Sequence, residues 1–425
     1  MSDKTFDGEK IKKLPEPFFE AMKGLLEDSY EDFLLSFNEK PRKGLLFNSK
    51  KARKETIEKL KAQWKLEPVE WCEGGYRYDE DFIRPGKSPY HDAGVFYMQE
   101  PSAMISAAKA DIRDTDIVLD LCAAPGGKSA QAAQKAGLLI SNEIIEKRAR
   151  VLSSNIERLG FSNVIVCSAA PSELSRVFPG FFDRIIVDAP CSGEGMFRKD
   201  DRAIEEWSLQ NVERCIERQR EILEAALLML KPGGKMVYST CTFEPYENKW
   251  QLRRFCDIHG DELELKEFRQ LYPHEIEGEG HFYGVIEKSG DAKDGQENSG
   301  GLRMSLEETA DMMRRNGIHV LRAGIEKGII KKDRKGNVRY EASHAEAMKA
   351  GDPAVKPYID LKTEDLARRY LTGESLRLQS ISEESYELCS EGGELRVLYD
   401  GYPLGLGKLS QGTLKNKLPK GLRRV

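Results

Sequence analysis

The sequence predicts an α/β fold built on a mostly parallel, doubly wound sheet, with an α+β region before it and a β-rich region after it. From about residue 93, short apolar runs bounded by Gly, Pro or polar residues alternate with longer stretches of helical periodicity. This alternation is typical of parallel strands joined by helical crossovers. The chain of 425 residues also exceeds the size at which one hydrophobic core stops growing, so two or three domains are expected.

Five apolar runs are predicted to form the parallel strands, and helical patterns separate them. The strands are expected over 117–122, 138–144, 163–168, 184–191 and 235–241. The intervening helices are expected over 128–137, 146–160 and 204–230, followed by one more helix over 245–260 and a closing strand over 281–287. In such a sheet the carboxyl ends of the strands meet at one edge, where ligands bind.

Changes in composition divide the chain into five segments. Pro85, Gly86 and Pro89 mark a loop before the alternating pattern begins. A polar, Gly-rich run after residue 287 has no large apolar side chain and is predicted to be a linker. The predicted segments are an N-terminal extension over 1–92, the α/β domain over 93–288, the linker over 289–302, an intermediate region over 303–368 and a C-terminal domain over 369–425.

Composition also narrows the class of protein. No apolar run reaches the roughly 18 residues of a membrane-spanning helix, and the first residues lack the apolar core of a secretory signal. A cytoplasmic location and no membrane partner are therefore expected. Eight cysteines are too sparse for a disulfide framework, and no C-x-x-C pair suggests zinc, so reduced thiols and no metal site are expected.

The charge of the chain is unevenly distributed. Residues 40–65 carry ten Lys or Arg and two Glu, and residues 408–424 carry six Lys or Arg and no acid. Taking these segments, with net charges of +8 and +6, from the total of −5 leaves −19 for the rest of the chain. Two basic segments on an acidic chain indicate local contact with a polyanion, although solvated helix faces would give the same count.

A cofactor signal follows the first predicted strand. The strand ends at Asp120, a turn of small residues follows, and a helix then begins near Lys128. In such a turn backbone N–H groups can approach a ligand closely. Glu143 lies 23 positions after Asp120, at the end of the second strand, where a carboxylate can accept both hydroxyls of a ribose. The turn matches neither the dinucleotide nor the P-loop pattern, which leaves S-adenosylmethionine as the predicted cofactor.

Two cysteines stand at the ends of neighbouring strands. The fourth strand ends in Asp188-Ala189-Pro190-Cys191 and the fifth ends at Cys241. Both thiols are therefore predicted to face the crevice that holds the cofactor. Enzymes that methylate exocyclic amino groups resemble [DNS]-P-P-[YFW] at this strand end, with an aromatic residue that stacks on the base. This chain has a thiol in place of the aromatic residue, which favours carbon as the methyl acceptor.

The chemistry of pyrimidine methylation explains why a thiol would be needed in this crevice. Carbon 5 of cytosine is a poor nucleophile, but a thiolate that adds to carbon 6 makes carbon 5 enamine-like. Because a free thiol is mostly protonated at neutral pH, the site must favour the thiolate, and Lys128 could supply positive charge. Asp188 could share a proton with ring N3 during the attack. The chemistry alone does not choose between Cys191 and Cys241.

At these residues the sequence resembles the Sun/nucleolar-protein family of RNA cytosine-C5 methyltransferases. The motifs that carry the resemblance are YMQEPSAM (97–104), DLCAAPGGKS (120–129), NEI (142–144), DAPCSGEGMFRKD (188–200) and YSTCTFEPYEN (238–248). Four further stretches resemble the RsmF-like ribosomal RNA branch of that family: QLYPH (270–274), GEGHF (278–282), RYL (369–371) and residues 401–423.

The resemblance implies a Rossmann-like class I methyltransferase domain between an N-terminal RNA-binding extension and a C-terminal PUA-like domain. It implies that Cys241 is the nucleophile and that Cys191 assists product release. It also implies that Asp188 lies between cofactor and base. The implied cofactor-binding residues are Cys122, Ala123, Ala124, Pro125, Gly126, Gly127, Lys128, Glu143 and Asp188.

One stretch departs from the family pattern, and three functions stay open. The family usually has an acid after strand three, near the adenine, whereas residues 167–171 here contain none. The resemblance favours small-subunit ribosomal RNA, or the ribosomal subunit, as the partner. A tRNA substrate is an alternative, and so is a non-catalytic RNA-binding ribosome-assembly factor, which the intact pair of Cys191 and Cys241 disfavours. The sequence does not indicate an oligomeric state.

Overall fold

The computed structural model describes residues 10–290, 304–332, 338–350, 357–381 and 393–424. The N-terminal region folds as two helices followed by a four-stranded antiparallel sheet of order β2-β3-β1-β4. Its elements are α1 (Glu16–Leu26), α2 (Tyr30–Ser36), β1 (Lys43–Phe47), α3 (Lys54–Trp64), β2 (Glu67–Pro68), β3 (Gly75–Tyr78), α4 (Pro89–Asp92) and β4 (Phe96–Met98).

Helices α1 and α2 bury their aromatic faces against the central domain. Phe18 and Phe33 are fully buried in one cluster with Phe197, Trp207 and Phe243. The ring centroids of Phe18 and Phe197 lie 5.2 Å apart in an edge-to-face arrangement, a favoured geometry for aromatic pairs. The N-terminal helices are therefore packed on the chain segment that follows the fourth predicted strand.

The central domain contains all five predicted parallel strands and the closing strand. Its elements are α5 (Met104–Lys109), β5 (Ile117–Asp120), α6 (Gly127–Ala133), β6 (Leu138–Asn142), α7 (Glu146–Leu159), β7 (Val164–Ser168), α8 (Pro171–Val177), β8 (Phe182–Asp188), α9 (Asp201–Glu206), α10 (Leu209–Met229), β9 (Leu230–Thr240), α11 (Lys249–His259), β10 (Leu263–Leu271) and β11 (His281–Lys288). The helix expected over 204–230 is interrupted, because the Ser208 hydroxyl caps α10 by accepting from the N–H of Asn211.

The remaining elements follow the predicted linker, most of which lies outside the described residues. Strands β15–β19 form a five-stranded sheet of order β15-β17-β18-β19-β16. The elements are α12 (Leu306–Arg315), β12 (His319–Ala323), β13 (Ile329–Lys332), β14 (Val338–Glu341), α13 (His344–Met348), β15 (Tyr358–Leu361), α14 (Glu364–Leu371), β16 (Leu376–Arg377), β17 (Glu394–Tyr399), β18 (Tyr402–Ser410) and β19 (Thr413–Asn416).

The central sheet has eight strands in the order β10-β11-β9-β8-β5-β6-β7-β12. Strands β5 to β9 run parallel to one another, whereas β10, β11 and β12 are antiparallel to their neighbours. Helices α5, α6 and α7 cover one face and α8, α10 and α11 cover the other, each over its own hydrophobic core. The predicted doubly wound α/β fold is confirmed. The strand order changes direction between β5 and β8, which places a crevice at their carboxyl ends.

The N-terminal and C-terminal sheets share one hydrophobic core. Leu45 and Trp64 belong to the same buried cluster as Val397 and Tyr402. The Tyr402 hydroxyl accepts from the backbone N–H of Arg53 at 2.9 Å. The predicted domain boundaries stay predictions, but these contacts tie the two ends of the chain together. None of the described helices is both long and apolar enough to cross a bilayer.

Part of the basic stretch over 40–65 serves these contacts. The half-buried ammonium of Lys51 donates to the carbonyls of Ala93 and Arg158, at 2.9 and 3.1 Å. The guanidinium of Arg53 lies over the Tyr402 ring and donates to its hydroxyl. Both side chains therefore make contacts within the protein, Arg53 at an exposed position, and contact of the basic segment with a polyanion stays a prediction.

A buried ion pair links the N-terminal helices to the central domain. The guanidinium of Arg198 donates to Glu279 at 2.9 Å and to the carbonyl of Ser36 at 2.7 Å. Removing one partner of a buried pair leaves an uncompensated charge and costs about 3–5 kcal/mol. We expect Arg198→Ala to lower the free energy of unfolding by about that amount in urea titrations. The exposed Arg202→Ala is the control, and equal unfolding midpoints for the two variants would contradict the expectation.

Candidate active site

The loops after β8 and β9 bring the two predicted cysteines together. The Sγ atoms of Cys191 and Cys241 lie 3.4 Å apart, well beyond the length of a disulfide bond, and both side chains are partly exposed. The hydrogen bond with Cys241, together with burial, raises the pKa of Cys191 well above its usual value. Cys191 is therefore a protonated thiol at neutral pH. A thiol that stays protonated is a poor nucleophile, which favours Cys241 for that role, a choice that the chemistry of the sequence left open.

Two buried glutamates hold the cysteine loops in place, and sequence reasoning missed both. Glu247 accepts from the backbone N–H of Ser192 at 3.1 Å and from the Gln219 amide at 2.7 Å. Glu194 accepts from the backbone N–H of Phe243 at 2.9 Å. Burial raises the pKa of each glutamate to about 7. Each carboxylate lies on one cysteine loop or beside it and bonds to the other, so the spacing of the thiols is fixed from both sides.

A glycine allows the loops to approach this closely. The N–H of Gly195 donates to the carbonyl of Cys241 at 2.8 Å. A Cβ atom at position 195 would lie only 2.7 Å from that same carbonyl oxygen. A side chain there would push the two loops apart and separate the thiols.

Asp188 and Lys128 form an ion pair beside the thiols. The Lys128 ammonium lies 2.7 Å from Asp188 Oδ2, and the Ser239 hydroxyl donates to Oδ1 at 2.9 Å. Burial raises the pKa of Asp188, but the charge of Lys128 and these hydrogen bonds outweigh it and hold the pKa below its usual value. Asp188 is therefore ionised at neutral pH, so a proton shared with a ligand must come from a neighbouring donor such as Lys128.

His281, which the sequence reasoning did not single out, faces the same carboxylate. Its Nε2 lies 3.7 Å from Asp188 Oδ1 and 3.1 Å from the Ser106 hydroxyl. Burial, together with the charge of Lys128, lowers the pKa of His281 to about 4. The imidazole is therefore neutral at physiological pH. Of these three side chains, only Lys128 and Asp188 are therefore charged.

The loop from Cys122 to Lys128 joins β5 to α6, as predicted. Gly126 has a φ of +117° and precedes the first residue of the helix, a conformation that favours glycine. The N–H of Ala123 donates to the Asn142 carbonyl at 2.8 Å, and the Pro125 carbonyl accepts from the Asn155 amide at 2.9 Å. The loop is thereby fixed against β6 and α7, with the amino end of α6 at the crevice. Burial raises the pKa of the Cys122 thiol, which stays protonated.

Two buried polar groups near this loop lack a partner within the described residues. Ser129 donates to one oxygen of Asp120 at 2.6 Å, but Asp120 Oδ1 has no hydrogen-bond partner. The side-chain amide of Gln99 is buried beside Gly127, and neither its oxygen nor its nitrogen has one. Buried polar atoms without a partner are rare in folded proteins and fit a place where a ligand supplies the bonds. The sequence motif that contains Gln99 supported the family resemblance, but no binding role was predicted for Gln99 itself.

Glu143 closes the other side of the crevice at the end of β6. Its side chain is 3% exposed and accepts from the N–H of Ile145 at 3.0 Å. Arg148 reaches Glu143 at 3.2 Å and also donates to the Ala124 carbonyl at 2.9 Å. A carboxylate in this position fits the hydroxyls of a ribose that lies beside the 122–128 loop. The residues present thus fit S-adenosylmethionine.

The stretch after β7 has a carboxylate that the sequence reasoning missed. Residues 167–171 contain no acid, but Glu173 folds back and accepts from the N–H of Ala170 at 2.7 Å. The Ser168 hydroxyl donates to the Ile144 carbonyl at 3.2 Å. The signal was present, because a Glu at the third position of a helix that begins with Pro171 can reach back to the N–H of the residue before the helix, as the Glu of a capping box does. An acid therefore lies next to the position where the family pattern has one.

Comparison with solved structures places the fold in a class. It is similar to a methyltransferase homolog protein from Pyrococcus horikoshii, with a TM-score of 0.58 and 26% identity over 68% of this chain and 100% of that one. NSun6 from the same organism, solved with SFG, has the same fold, with a TM-score of 0.57 and 20% identity over 66% of this chain and 100% of that one. The sheet order, the small-residue loop and the acid after β6 define an S-adenosylmethionine-dependent methyltransferase.

Sequence comparison gives the family. The model described as "16S rRNA methyltransferase RsmB/F" matches residues 107–287. Models of the RsmF N-terminal domain and the RsmF PUA domain match residues 14–101 and 359–424. The ribosomal RNA small subunit methyltransferase F of Vibrio campbellii is 30% identical over 97% of this chain and 98% of that protein. The protein of that name from Vibrio cholerae is 36% identical over 61% of this chain and 58% of that protein. The chain belongs to the RsmF family of ribosomal RNA methyltransferases.

Proposed function

We propose that this enzyme transfers a methyl group from S-adenosylmethionine to carbon 5 of a cytosine in small-subunit ribosomal RNA. The observation that carries the proposal is the pair of thiols 3.4 Å apart, beside the Lys128–Asp188 ion pair. Relatives that match almost the whole chain are named for ribosomal RNA of the small subunit. That name favours ribosomal RNA over tRNA, and the retained thiols disfavour a non-catalytic assembly factor.

The first step is the addition of the Cys241 thiolate to carbon 6 of the flipped-out cytosine. A C–S bond forms, and the electron pair of the 5,6 double bond becomes available at carbon 5. Lys128, paired with Asp188, is the proton donor for ring N3 while negative charge develops on the ring. When bound, S-adenosylmethionine supplies the electrophilic methyl group. The target base must leave its stack to reach partly buried thiols.

The second step restores the aromatic ring. The Cys241–carbon 6 bond must break and the proton on carbon 5 must leave. Cys191 is a protonated thiol hydrogen bonded to Cys241, so it can donate its proton to the departing sulfur. The Cys191 thiolate left behind can then accept the carbon 5 proton, which restores the Cys191 thiol. The proton on ring N3 returns to Lys128 as the ring is restored. Loss of one proton from Cys241 to solvent then completes the cycle, so each turnover releases one proton.

The proposed function is tested by following the methyl group. The purified chain is incubated with tritiated S-adenosylmethionine and either small-subunit ribosomal RNA, the assembled small subunit or tRNA. We expect label in the ribosomal substrates and, at the same position, a cytosine that resists bisulfite conversion. Label in tRNA alone would shift the substrate to tRNA. No transfer to any of the three substrates would contradict the function.

The role of Glu143 in cofactor binding gives a separate prediction. We expect Glu143→Ala to weaken S-adenosylmethionine binding about 10- to 100-fold, because hydrogen bonds to a charged group contribute about 1.5–3 kcal/mol. Isothermal titration calorimetry measures the dissociation constant directly. Glu146→Ala, an exposed acid in the next helix, is the matched control. A dissociation constant for Glu143→Ala within threefold of the wild type would remove Glu143 from the cofactor site.

A further inference from the structure

A surface groove between α10 and α11 has no role in the steps above. It encloses about 810 Å³ and opens to solvent. Tyr246, Trp250 and Ile258 line it and are 65, 47 and 63% exposed. Two aromatic side chains and an isoleucine, all exposed and gathered in one groove, form the kind of apolar patch that marks an interaction surface. We call this surface the α10–α11 groove.

The charge of the groove is positive. Arg220, Arg253 and Arg254 line it, and Asp257 is its only acid. The Arg253 guanidinium lies 5.4 Å from the centre of the Trp250 ring, and the Lys249 ammonium lies 5.0 Å from it. No ion pair of the three arginines occurs within the described part of the chain, so their charges are available to an anionic partner.

The groove begins where the catalytic loop ends. Tyr246 directly precedes Glu247 and Asn248, which hold the cysteine loops. Glu247 accepts from the N–H of Ser192, and the Asn248 amide donates to the Thr242 carbonyl at 2.9 Å. Tyr246 is thus only five positions along the chain from Cys241. A polymeric substrate whose reacting unit lies at Cys241 would therefore pass close to Tyr246.

We propose that the α10–α11 groove binds the single-stranded RNA that flanks the target cytosine. Tyr246 and Trp250 stack on neighbouring bases, and Arg220, Arg253 and Arg254 contact phosphates. Aromatic faces combined with cationic side chains are the usual means of holding single strands without regard to sequence. Three unpaired arginines against one acid match a polyanion better than a mixed-charge protein surface. This inference rests on the proposed function, because it assigns part of the substrate to a surface.

Trp250 supplies its own spectroscopic probe. The chain has four tryptophans, of which Trp250 is exposed, Trp64 and Trp207 are buried and Trp71 is partly buried. We expect a single-stranded RNA oligonucleotide to quench the tryptophan fluorescence of the wild type. Trp250→Leu should abolish the quenching and raise the KM for RNA about tenfold, the usual cost of losing one stacked base. Trp250→Phe keeps an aromatic face and should retain most of the affinity for RNA.

Matched variants separate the groove from the rest of the surface. Leu228→Ala removes an exposed apolar side chain from α10 but outside the groove, and it should leave the KM for RNA unchanged. Arg254→Glu should weaken RNA binding and flatten its dependence on salt, whereas Arg214→Glu, exposed on α10 outside the groove, should do so much less. The affinity for S-adenosylmethionine should be the same in all these variants.

The outcomes distinguish this inference from the proposed function. If the wild type methylates RNA but Trp250→Leu keeps the wild-type KM and quenching, the groove does not bind RNA and the function stands. If the wild type transfers no methyl group yet RNA quenches Trp250, the function fails and the groove still binds RNA. If assembled small subunits quench Trp250 but naked RNA does not, the groove docks a ribosomal protein and the inference is overturned.

Discussion

Replacing Cys241 with alanine should abolish methyl transfer while leaving the binding of S-adenosylmethionine intact. Cys241 is the partly exposed thiol paired with the protonated Cys191, and without it no covalent bond to carbon 6 can form. Loss of a catalytic nucleophile typically lowers the rate by about 10³-fold or more. Transfer of tritium from S-adenosylmethionine to RNA measures the rate, and calorimetry measures cofactor binding.

Controls make that result specific. Cys256→Ala removes another partly exposed thiol, one on α11 and away from the crevice, and it should keep wild-type activity. Cys241→Ser keeps the volume of the side chain almost unchanged but offers a hydroxyl that is far harder to ionise, and it should be as inactive as the alanine variant. Transfer by Cys241→Ala at more than a tenth of the wild-type rate would exclude Cys241 as the nucleophile.

The fold was predictable because its signal is local. Each parallel strand is a short apolar run, and four of the five end in or beside a residue with distinctive chemistry, namely Asp120, Glu143, Asp188 or Cys241. Strand β10 was missed because it lies at the sheet edge and is rich in charged residues, as exposed edges usually are. Strand β12 was missed because it joins β7 from beyond the linker. Such long-range pairing leaves no trace in local periodicity.

The candidate site was only partly predictable for a similar reason. Sequence patterns indicate which residues stand at strand ends, but they do not indicate which carboxylates turn inward to support them. Glu194, Glu247 and His281 are polar residues whose burial depends on contacts across the whole domain. Charge counts are incomplete in the same way, since the Lys51 ammonium donates to backbone carbonyls and the Arg53 guanidinium donates to the Tyr402 hydroxyl although both residues lie in a basic segment. The direction in which a side chain points, rather than the composition of its segment, decides which groups it contacts.

Replacing Cys191 with alanine should trap the enzyme on its substrate. Without the thiol that donates to the departing sulfur of Cys241, the second step slows while the first continues, so a Cys241–RNA adduct accumulates. General acid–base assistance of this kind is worth about 10²–10⁴ in rate, and turnover should fall within that range. The adduct is covalent, so radiolabelled RNA should migrate with the protein on a denaturing gel in the Cys191→Ala variant and not in the wild type.

The double variant decides what the adduct means. If Cys241 carries the RNA, Cys191→Ala combined with Cys241→Ala should show no adduct, because the bonding sulfur is gone. An adduct that survives in the double variant would assign the bond to another residue. An absent adduct in Cys191→Ala with normal turnover would show that the sulfur departs without help. The geometry makes that outcome unexpected, because the Cys191 thiol lies 3.4 Å from the leaving sulfur, within reach for proton donation.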